Sequence, residues 1–158
     1  QSADEPAELV RRLNRVLVES SPSNKFATLF YAELDPQTHR LRYVSGGHNP
    51  SLLRVDGEVI ELNSTGPIVG LVPKAEFESR EVEMPPGSVL VLYTDGVTEL
   101  MNEEQEEFGT DRLSALLRSG PDGSADEWVE RVHEALHDFG GGERFDDDTT
   151  LLIVRRLS

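Results

Sequence analysis

Three segments of the chain are apolar on both faces of a strand, and this feature most limits the folds that the chain can adopt. The segments are FATLFYAEL at 26–34, SVLVLYT at 88–94 and TTLLIVRR at 149–156. A strand with one face in water alternates apolar and polar residues, whereas a strand covered on both faces does not. The pattern therefore predicts interior strands in a layered fold.

The remaining segments give the order of elements around these strands. Asp4-Glu5-Pro6 predicts the start of a first helix that ends near Ser20. Its predicted apolar face consists of Leu9, Leu13, Val16 and Leu17. About six strands follow in hairpin-like succession, and two helices precede the last strand. A run of strands followed by helices indicates an α+β fold with mostly antiparallel sheets, not a dinucleotide-binding fold.

Charge and composition exclude several functions. The chain has 158 residues, of which 30 are acidic and 15 basic, so its formal net charge is −15. Such a field repels nucleic acids and anionic membranes, and neither is an expected partner. The absence of cysteine excludes disulfides, zinc–thiolate sites and thiol catalysis. No apolar run approaches the roughly 20 residues of a membrane span and no signal peptide opens the chain, so a cytoplasmic protein is expected.

Two acidic positions border the apolar segments. Asp95 directly follows the strand at 88–94, and Asp146-Asp147-Asp148 directly precedes the strand at 149–156. If these strands are antiparallel neighbours, the end of one lies beside the start of the other. Because side chains alternate along a strand, Asp147 and Asp148 cannot both face the same partner.

Carboxylates brought together in this way need a compensating charge. Two of them repel by roughly 4 kcal/mol at about 4 Å in a medium of effective dielectric constant about 20. Arg144 is the one basic residue nearby in the sequence, so a divalent cation is the better candidate. Oxygen ligands without cysteine favour Mg²⁺, Mn²⁺ or Ca²⁺ over zinc. On the residues alone, an ordinary turn at Asp95-Gly96 and a solvated aspartate loop explain the same pattern.

Other motifs are weaker. The segment SGGHNP at 45–50 is rich in glycine but lacks the lysine of a phosphate-binding loop. We interpret His48 within it as a residue that braces the loop, not as a catalytic base. No serine lies in a Gly-x-Ser-x-Gly elbow.

Four strings, in order along the chain, carry a resemblance to a known family. They are FATLFYAELDPQTHRLRYVSGGHNPSLL, PPGSVLVLYTDGVTE, EEFGTDRL and DDDTTLLIVR. Together they resemble the PPM-type metal-dependent serine/threonine protein phosphatases, in their bacterial RsbU/SpoIIE-like branch, from about Glu5 to Arg156. The resemblance implies a layered α-β-β-α sandwich and two Mn²⁺ or Mg²⁺ ions that activate water for attack on a phosphoserine or phosphothreonine.

The resemblance also implies which residues form the site. Asp95 of the Thr-Asp-Gly triplet and Asp147, the first aspartate of the closing Asp-Asp-x-Thr motif, correspond to the metal ligands and are the expected catalytic residues. Gly96 would permit a close approach of the backbone. Asp148, the neighbour of the second ligand, is expected to lie behind the ligands or to face solvent. The expected metal site therefore comprises Asp95, Gly96, Asp147 and Asp148.

Two motifs of the family, Gly-Asp and Asp-x-Ser-Gly-His-Gly, are absent from this chain. The expectation is that 1–158 forms one domain, with 1–4 as linker, and that this domain is the C-terminal portion of a phosphatase domain without its N-terminal strands. Weak metal binding and little activity are expected of this portion alone. A fragment is favoured over a degenerate relative, and the unpaired sheet edges are expected to promote self-association.

The leading functional hypothesis is a phosphatase that acts on a phosphorylated regulatory protein. By analogy with the branch, this substrate is a STAS-type anti-sigma-factor antagonist. An upstream sensor domain is expected to control the phosphatase. The second is a catalytically inactive interaction module that keeps the fold. The third is an acidic domain that binds divalent cations and is not a phosphatase.

Overall fold

The structure is a computed structural model, and it describes residues 4–20, 25–141 and 148–157. The described residues form two compact units. The first lies within Gln1–Pro50 and Asn63–Met84, and the second within Ser51–Leu62 and Pro85–Ser158. That the whole of 1–158 is one domain stays a prediction.

The elements of the described residues follow the predicted order of one helix, six strands, two longer helices and a last strand, with the four-residue helix α2 in addition. In sequence they are α1 (Glu5–Ser20), β1 (Leu29–Asp35), β2 (Arg40–Gly46), β3 (Ser51–Val55), β4 (Glu58–Leu62), β5 (Arg80–Glu83), β6 (Val89–Tyr93), α2 (Asp95–Thr98), α3 (Gly109–Ser119), α4 (Ala125–Phe139) and β7 (Leu151–Arg155). Within the described ranges, no helix is both long and apolar enough to cross a membrane.

The first unit is a three-stranded antiparallel sheet with one helix. The strand order is β1-β2-β5, and α1 packs against β2 and β1. The buried core of this unit consists of Ala7, Val10, Val44, Val69, Ala75 and Phe77. Asn14 is also buried, because its side chain donates to the Val72 carbonyl at 2.9 Å and accepts from the Gly70 N–H at 2.8 Å.

The predicted apolar face of α1 is wrong for three of its four residues. Leu9, Leu13 and Val16 are exposed, whereas the buried side of the helix carries Ala7, Val10 and Asn14. At 100° per residue these two stripes lie on different sides of one helix. The side with a polar residue is buried because the loop at 70–72 provides partners for the Asn14 amide.

The second unit is a four-stranded antiparallel sheet of order β4-β3-β6-β7. Its core unites one face of this sheet with α3 and α4, and includes Val91, Leu113, Trp128, Val132 and Ile153. Helix α4 begins behind Ser124, which is its N-cap residue. Its capping box has the Ser124 hydroxyl accepting from the Glu127 N–H, while the Glu127 carboxylate accepts from the Ser124 N–H.

Of the three predicted interior strands, one is interior in the described part of the chain. Strand β6 lies between β3 and β7 and is buried at four of its five positions. Strands β1 and β7 lie at the edges of their sheets, and Leu152 and Val154 of β7 are exposed. An apolar pattern indicates which side chains of a strand favour burial. The helices or strands that would cover them come from other parts of the chain, which the pattern does not specify.

Candidate metal centre at the ends of strands β6 and β7

The antiparallel pairing of β6 with β7 brings Asp95 and Asp148 to one edge of the sheet. The register ends at the pair Tyr93–Leu151, and beyond it the Thr94 N–H donates to the Thr150 carbonyl at 3.1 Å. The residue after Thr94 is Asp95, and the segment that leads into β7 contains Asp148. The predicted neighbourhood of the two strands is therefore confirmed.

Threonine hydroxyls join the two segments beyond the strands. The Thr94 hydroxyl accepts from the Thr150 N–H at 2.9 Å and donates to the Asp148 carbonyl at 3.3 Å. The Thr149 hydroxyl donates to the Gly96 carbonyl at 3.4 Å. These hydrogen bonds fix the backbone that carries the aspartates on both sides of the junction.

Gly96 is buried where the two segments touch. A Cβ atom at this position would lie 2.8 Å from the Asp148 carbonyl oxygen and 3.0 Å from the Thr149 hydroxyl oxygen. The first distance is too short for any side chain, so the junction closes only with glycine. The predicted close approach of the backbone at Gly96 is thus an approach to Asp148. A role of Gly96 in metal binding stays a prediction.

Asp95 is the first residue of the four-residue helix α2. Its carbonyl accepts from the Glu99 N–H at 2.8 Å and from the Thr98 hydroxyl at 3.4 Å, while its side chain is exposed. Asp148 is exposed as well. Asp147 lies outside the described residues, as does Asp146, so the pairing of Asp95 with Asp147 stays a prediction.

The described donors fit part of a site for a hard dication. Asp95 and Asp148 offer carboxylate oxygens at one junction, and oxygen is the ligand that Mg²⁺ and Mn²⁺ prefer. In the ranges 4–20, 25–141 and 148–157, no three His, Cys, Asp or Glu side chains form a cluster that could hold a metal ion. The ligand set of the described residues is therefore partial.

His48 and the threonines of the junction differ in whether the sequence analysis assigned them a role. His48, interpreted as bracing its loop, has its Nδ1 atom 2.9 Å from the Asn49 carbonyl oxygen, and its ring is in an edge-to-face arrangement with the ring of Phe30. The hydroxyls of Thr94 and Thr149 were not singled out at all. Their signal was present in the sequence, since both strand ends place threonine directly beside aspartate.

Comparisons with known proteins agree with the four motifs. The family model of Stage II sporulation protein E (SpoIIE) matches residues 1–157. Protein IcfG from Synechocystis sp. is 32% identical over 141 residues, which are 89% of this chain and 22% of IcfG. Phosphoserine phosphatase RsbU from Bacillus subtilis is 29% identical over 156 residues, which are 96% of this chain and 45% of RsbU. The chain thus spans less than half the length of either relative.

A solved structure supports the fold. The phosphatase domain of the cell fate determinant SpoIIE from Bacillus subtilis, in its Mn-presoaked form, superposes with a TM-score of 0.73 at 16% identity, covering 100% of this chain and 68% of that chain. This likeness confirms the predicted mixed α+β fold with antiparallel sheets. With the family model matched over 1–157, the chain belongs to the SpoIIE family, in the RsbU/SpoIIE branch of PPM-type phosphatase domains.

Proposed function

We propose that this chain is part of a metal-dependent protein phosphatase that hydrolyses phosphoserine or phosphothreonine. The observation that carries the proposal is the junction of β6 and β7, where Asp95 and Asp148 lie on backbone segments joined by hydrogen bonds. The name of one relative, Phosphoserine phosphatase RsbU, supports the reaction class. The chain covers 45% of RsbU, so the activity is proposed for the whole protein.

The residues of this chain would bind the metal ions and fix the backbone segments that carry the ligands. Asp95 and Asp147 would bind the cations, with Asp148 beside them and Gly96 allowing the two segments to touch. A bound Mn²⁺ or Mg²⁺ supplies the positive charge that attracts a phosphate and makes a water molecule more acidic. That charge matters here because a protein of net charge −15 otherwise repels a phosphorylated substrate.

We propose divalent Mn²⁺ or Mg²⁺ as the cofactor, two ions in the complete domain, supported by the Mn-presoaked form of the SpoIIE phosphatase domain. The proposed substrate is a phosphorylated regulatory protein of a sigma-factor pathway, in the first place a STAS-type anti-sigma-factor antagonist. An upstream sensor domain is the proposed input. These assignments rest on analogy within the branch.

The experiment is Mn²⁺-dependent hydrolysis of a phosphoserine peptide by the full-length protein. Asp95→Asn removes a proposed ligand at constant volume, and we expect kcat/KM to fall at least about 100-fold, because the charge stabilisation by one ligand set is worth several kcal/mol. Asp111→Asn, an exposed aspartate of α3, is the matched control and should retain activity. Activity that survives Asp95→Asn combined with Asp147→Asn would overturn the mechanism.

The second candidate is an interaction module without catalysis. It is favoured by the absence of the Gly-Asp and Asp-x-Ser-Gly-His-Gly motifs from residues 1–158. The two candidates differ in one simple observation. A Gly-Asp motif and an Asp-x-Ser-Gly-His-Gly motif upstream in the parent gene would indicate the phosphatase, and their absence would indicate the module.

A further inference from the structure

The hydroxyl of Thr94 does not play the role that its position suggests. Thr94 is the N-cap residue of α2, with φ −93° and ψ 167°, and threonine at such a position usually accepts a hydrogen bond from its own helix. Here the hydroxyl makes no capping bond. It bonds across the strand pair instead, accepting from the Thr150 N–H and donating to the Asp148 carbonyl.

This arrangement couples two residues that are far apart in the sequence. Asp95 follows Thr94 directly, and Asp148 supplies the carbonyl that the Thr94 hydroxyl binds at 3.3 Å. Both aspartate side chains are exposed, so neither is held in place by core packing. The distance between their backbones therefore depends on the bonds at the junction. These are the backbone bond from Thr94 to Thr150, the bond of the Thr149 hydroxyl to Gly96 and the two bonds of the Thr94 hydroxyl.

The bonds of Thr94 also hold together two segments that each carry an exposed aspartate. Carboxylates that converge without a cation repel each other and favour separation of the segments that carry them. A hydroxyl that binds one segment while belonging to the other resists that separation before any cation is bound. Groups that orient ligands without touching the metal commonly change metal affinity about 10- to 100-fold when removed.

We propose that Thr94 is a positioning residue for the metal site, which it prepares by fixing the segment of Asp148 against the segment of Asp95. The inference rests on the proposed function, because it assumes that this junction binds a divalent cation. It adds to that function a residue that acts through the two aspartates and not through contact with the ion.

The experiment measures Mn²⁺ affinity by electron paramagnetic resonance of the free ion, with the full-length protein, and thermal unfolding without metal. Thr94→Val keeps the shape and removes the hydroxyl, and we expect its Kd for Mn²⁺ to rise about tenfold or more. Thr94→Ser restores the hydroxyl and should return to within about threefold of the wild-type Kd. Thr110→Val is the matched control, since the Thr110 hydroxyl contacts Tyr93 at 3.4 Å and not the junction.

The outcomes separate this inference from the proposed function. If Thr94→Val binds Mn²⁺ as the wild type does while Asp95→Asn does not, the positioning role is overturned and the metal site stands. If Thr94→Ser binds as weakly as Thr94→Val, the hydroxyl is not the cause and the inference again fails. If the wild-type protein binds no Mn²⁺, both the inference and the proposed function are overturned. An equal loss of Mn²⁺ affinity in Thr110→Val and Thr94→Val would mean that general destabilisation causes the loss. This result would also overturn the inference.

Discussion

Arg54 is a buried cation whose guanidinium is bonded to the end of a helix. Its Nε–H donates to the Leu117 carbonyl at 2.9 Å, and its other nitrogens donate to the Gly120 carbonyl at 3.3 Å and to the Asp122 carboxylate at 2.8 Å. The guanidinium also lies 5.4 Å from the ring centre of Trp128. Arg54 thereby satisfies carbonyl groups that the C-terminus of α3 leaves without helical partners.

We expect Arg54→Met to lower the free energy of unfolding by about 2–4 kcal/mol, because it leaves these carbonyl groups without a donor and ends a charge-assisted bond. Urea denaturation followed by circular dichroism measures this. Asp122→Asn is the control, since the Asp122 side chain is 79% exposed and its ion pair is worth less than about 1 kcal/mol. Equal losses in the two variants would contradict the role of the buried carbonyl groups.

Glu127 makes the start of α4 sensitive to acid. The hydrogen bond from the Ser124 backbone holds the pKa of Glu127 below its usual value of 4.5. A carboxylate with a lowered pKa in the folded state stabilises the protein above the unfolded pKa, and this contribution is lost as the pH falls through the folded value. The pH window is therefore the acidic side of 4.5.

Glu127→Gln keeps an acceptor in the capping box but does not titrate. We expect the wild type to exceed the variant in free energy of unfolding near neutral pH, and this difference to shrink as the pH falls below about 4.5. Chemical denaturation at a series of pH values measures it. Glu130→Gln, on the exposed side of the same helix and outside the capping box, is the control. Parallel curves for wild type and Glu127→Gln would contradict the prediction.

At the scale of single elements, α1 offers two valines in different environments. Val10 is 1% exposed in the core of the first unit, and Val16 is 57% exposed on the side that the sequence predicted to be buried. Both truncations to alanine remove the same atoms and raise helix propensity in the same way. Any difference between them therefore measures burial alone.

We expect Val10→Ala to cost about 2 kcal/mol of unfolding free energy, since it deletes buried methyl groups and leaves a small cavity. Val16→Ala should change it by less than about 0.5 kcal/mol. Thermal or urea unfolding of the two variants compares them directly. A loss at Val16 as large as that at Val10 would mean that the exposed stripe of α1 is covered in solution.

In the whole molecule, the exposed edge at β7 and the net charge have opposite effects on self-association. Leu152 and Val154 are 55% and 42% exposed on a strand at the edge of its described sheet, and such an edge promotes pairing with another chain. The net charge of −15 opposes association, but salt screens charges beyond about 10 Å at 0.1 M ionic strength. Self-association should therefore increase with protein concentration and with salt.

We expect sedimentation equilibrium of this chain to show a weight-average mass that rises between low and moderate sodium chloride. Leu152→Lys places a charge on the exposed face of β7 and should keep the chain monomeric under the same conditions. Leu157→Lys is the matched control, because Leu157 is 75% exposed beyond the end of the strand. A monomer at all salt concentrations would contradict the self-association that the sequence predicts.

Much of the architecture and part of the site were predictable from short-range patterns. Local spacing and turn residues predicted most of the strands, the α+β class and the first helix, because these patterns depend on neighbouring residues only. The neighbourhood of Asp95 and the segment before β7 followed from the antiparallel pairing of two apolar strands. Asp147 was assigned by motif, and that assignment stays a prediction.

The order of the strands and longer helices, the family and the two acidic strand ends could be predicted, since each depends on contiguous stretches of residues. Which side of α1 is buried could not, because the partners of Asn14 lie at 70 and 72 in a loop that no local pattern predicts. The tertiary structure also decided that the Thr94 hydroxyl binds Asp148, 54 residues away, and not its own helix. Hydrogen bonds and covering layers between distant segments exist only once the chain has folded, so their effects appear in no window of the sequence.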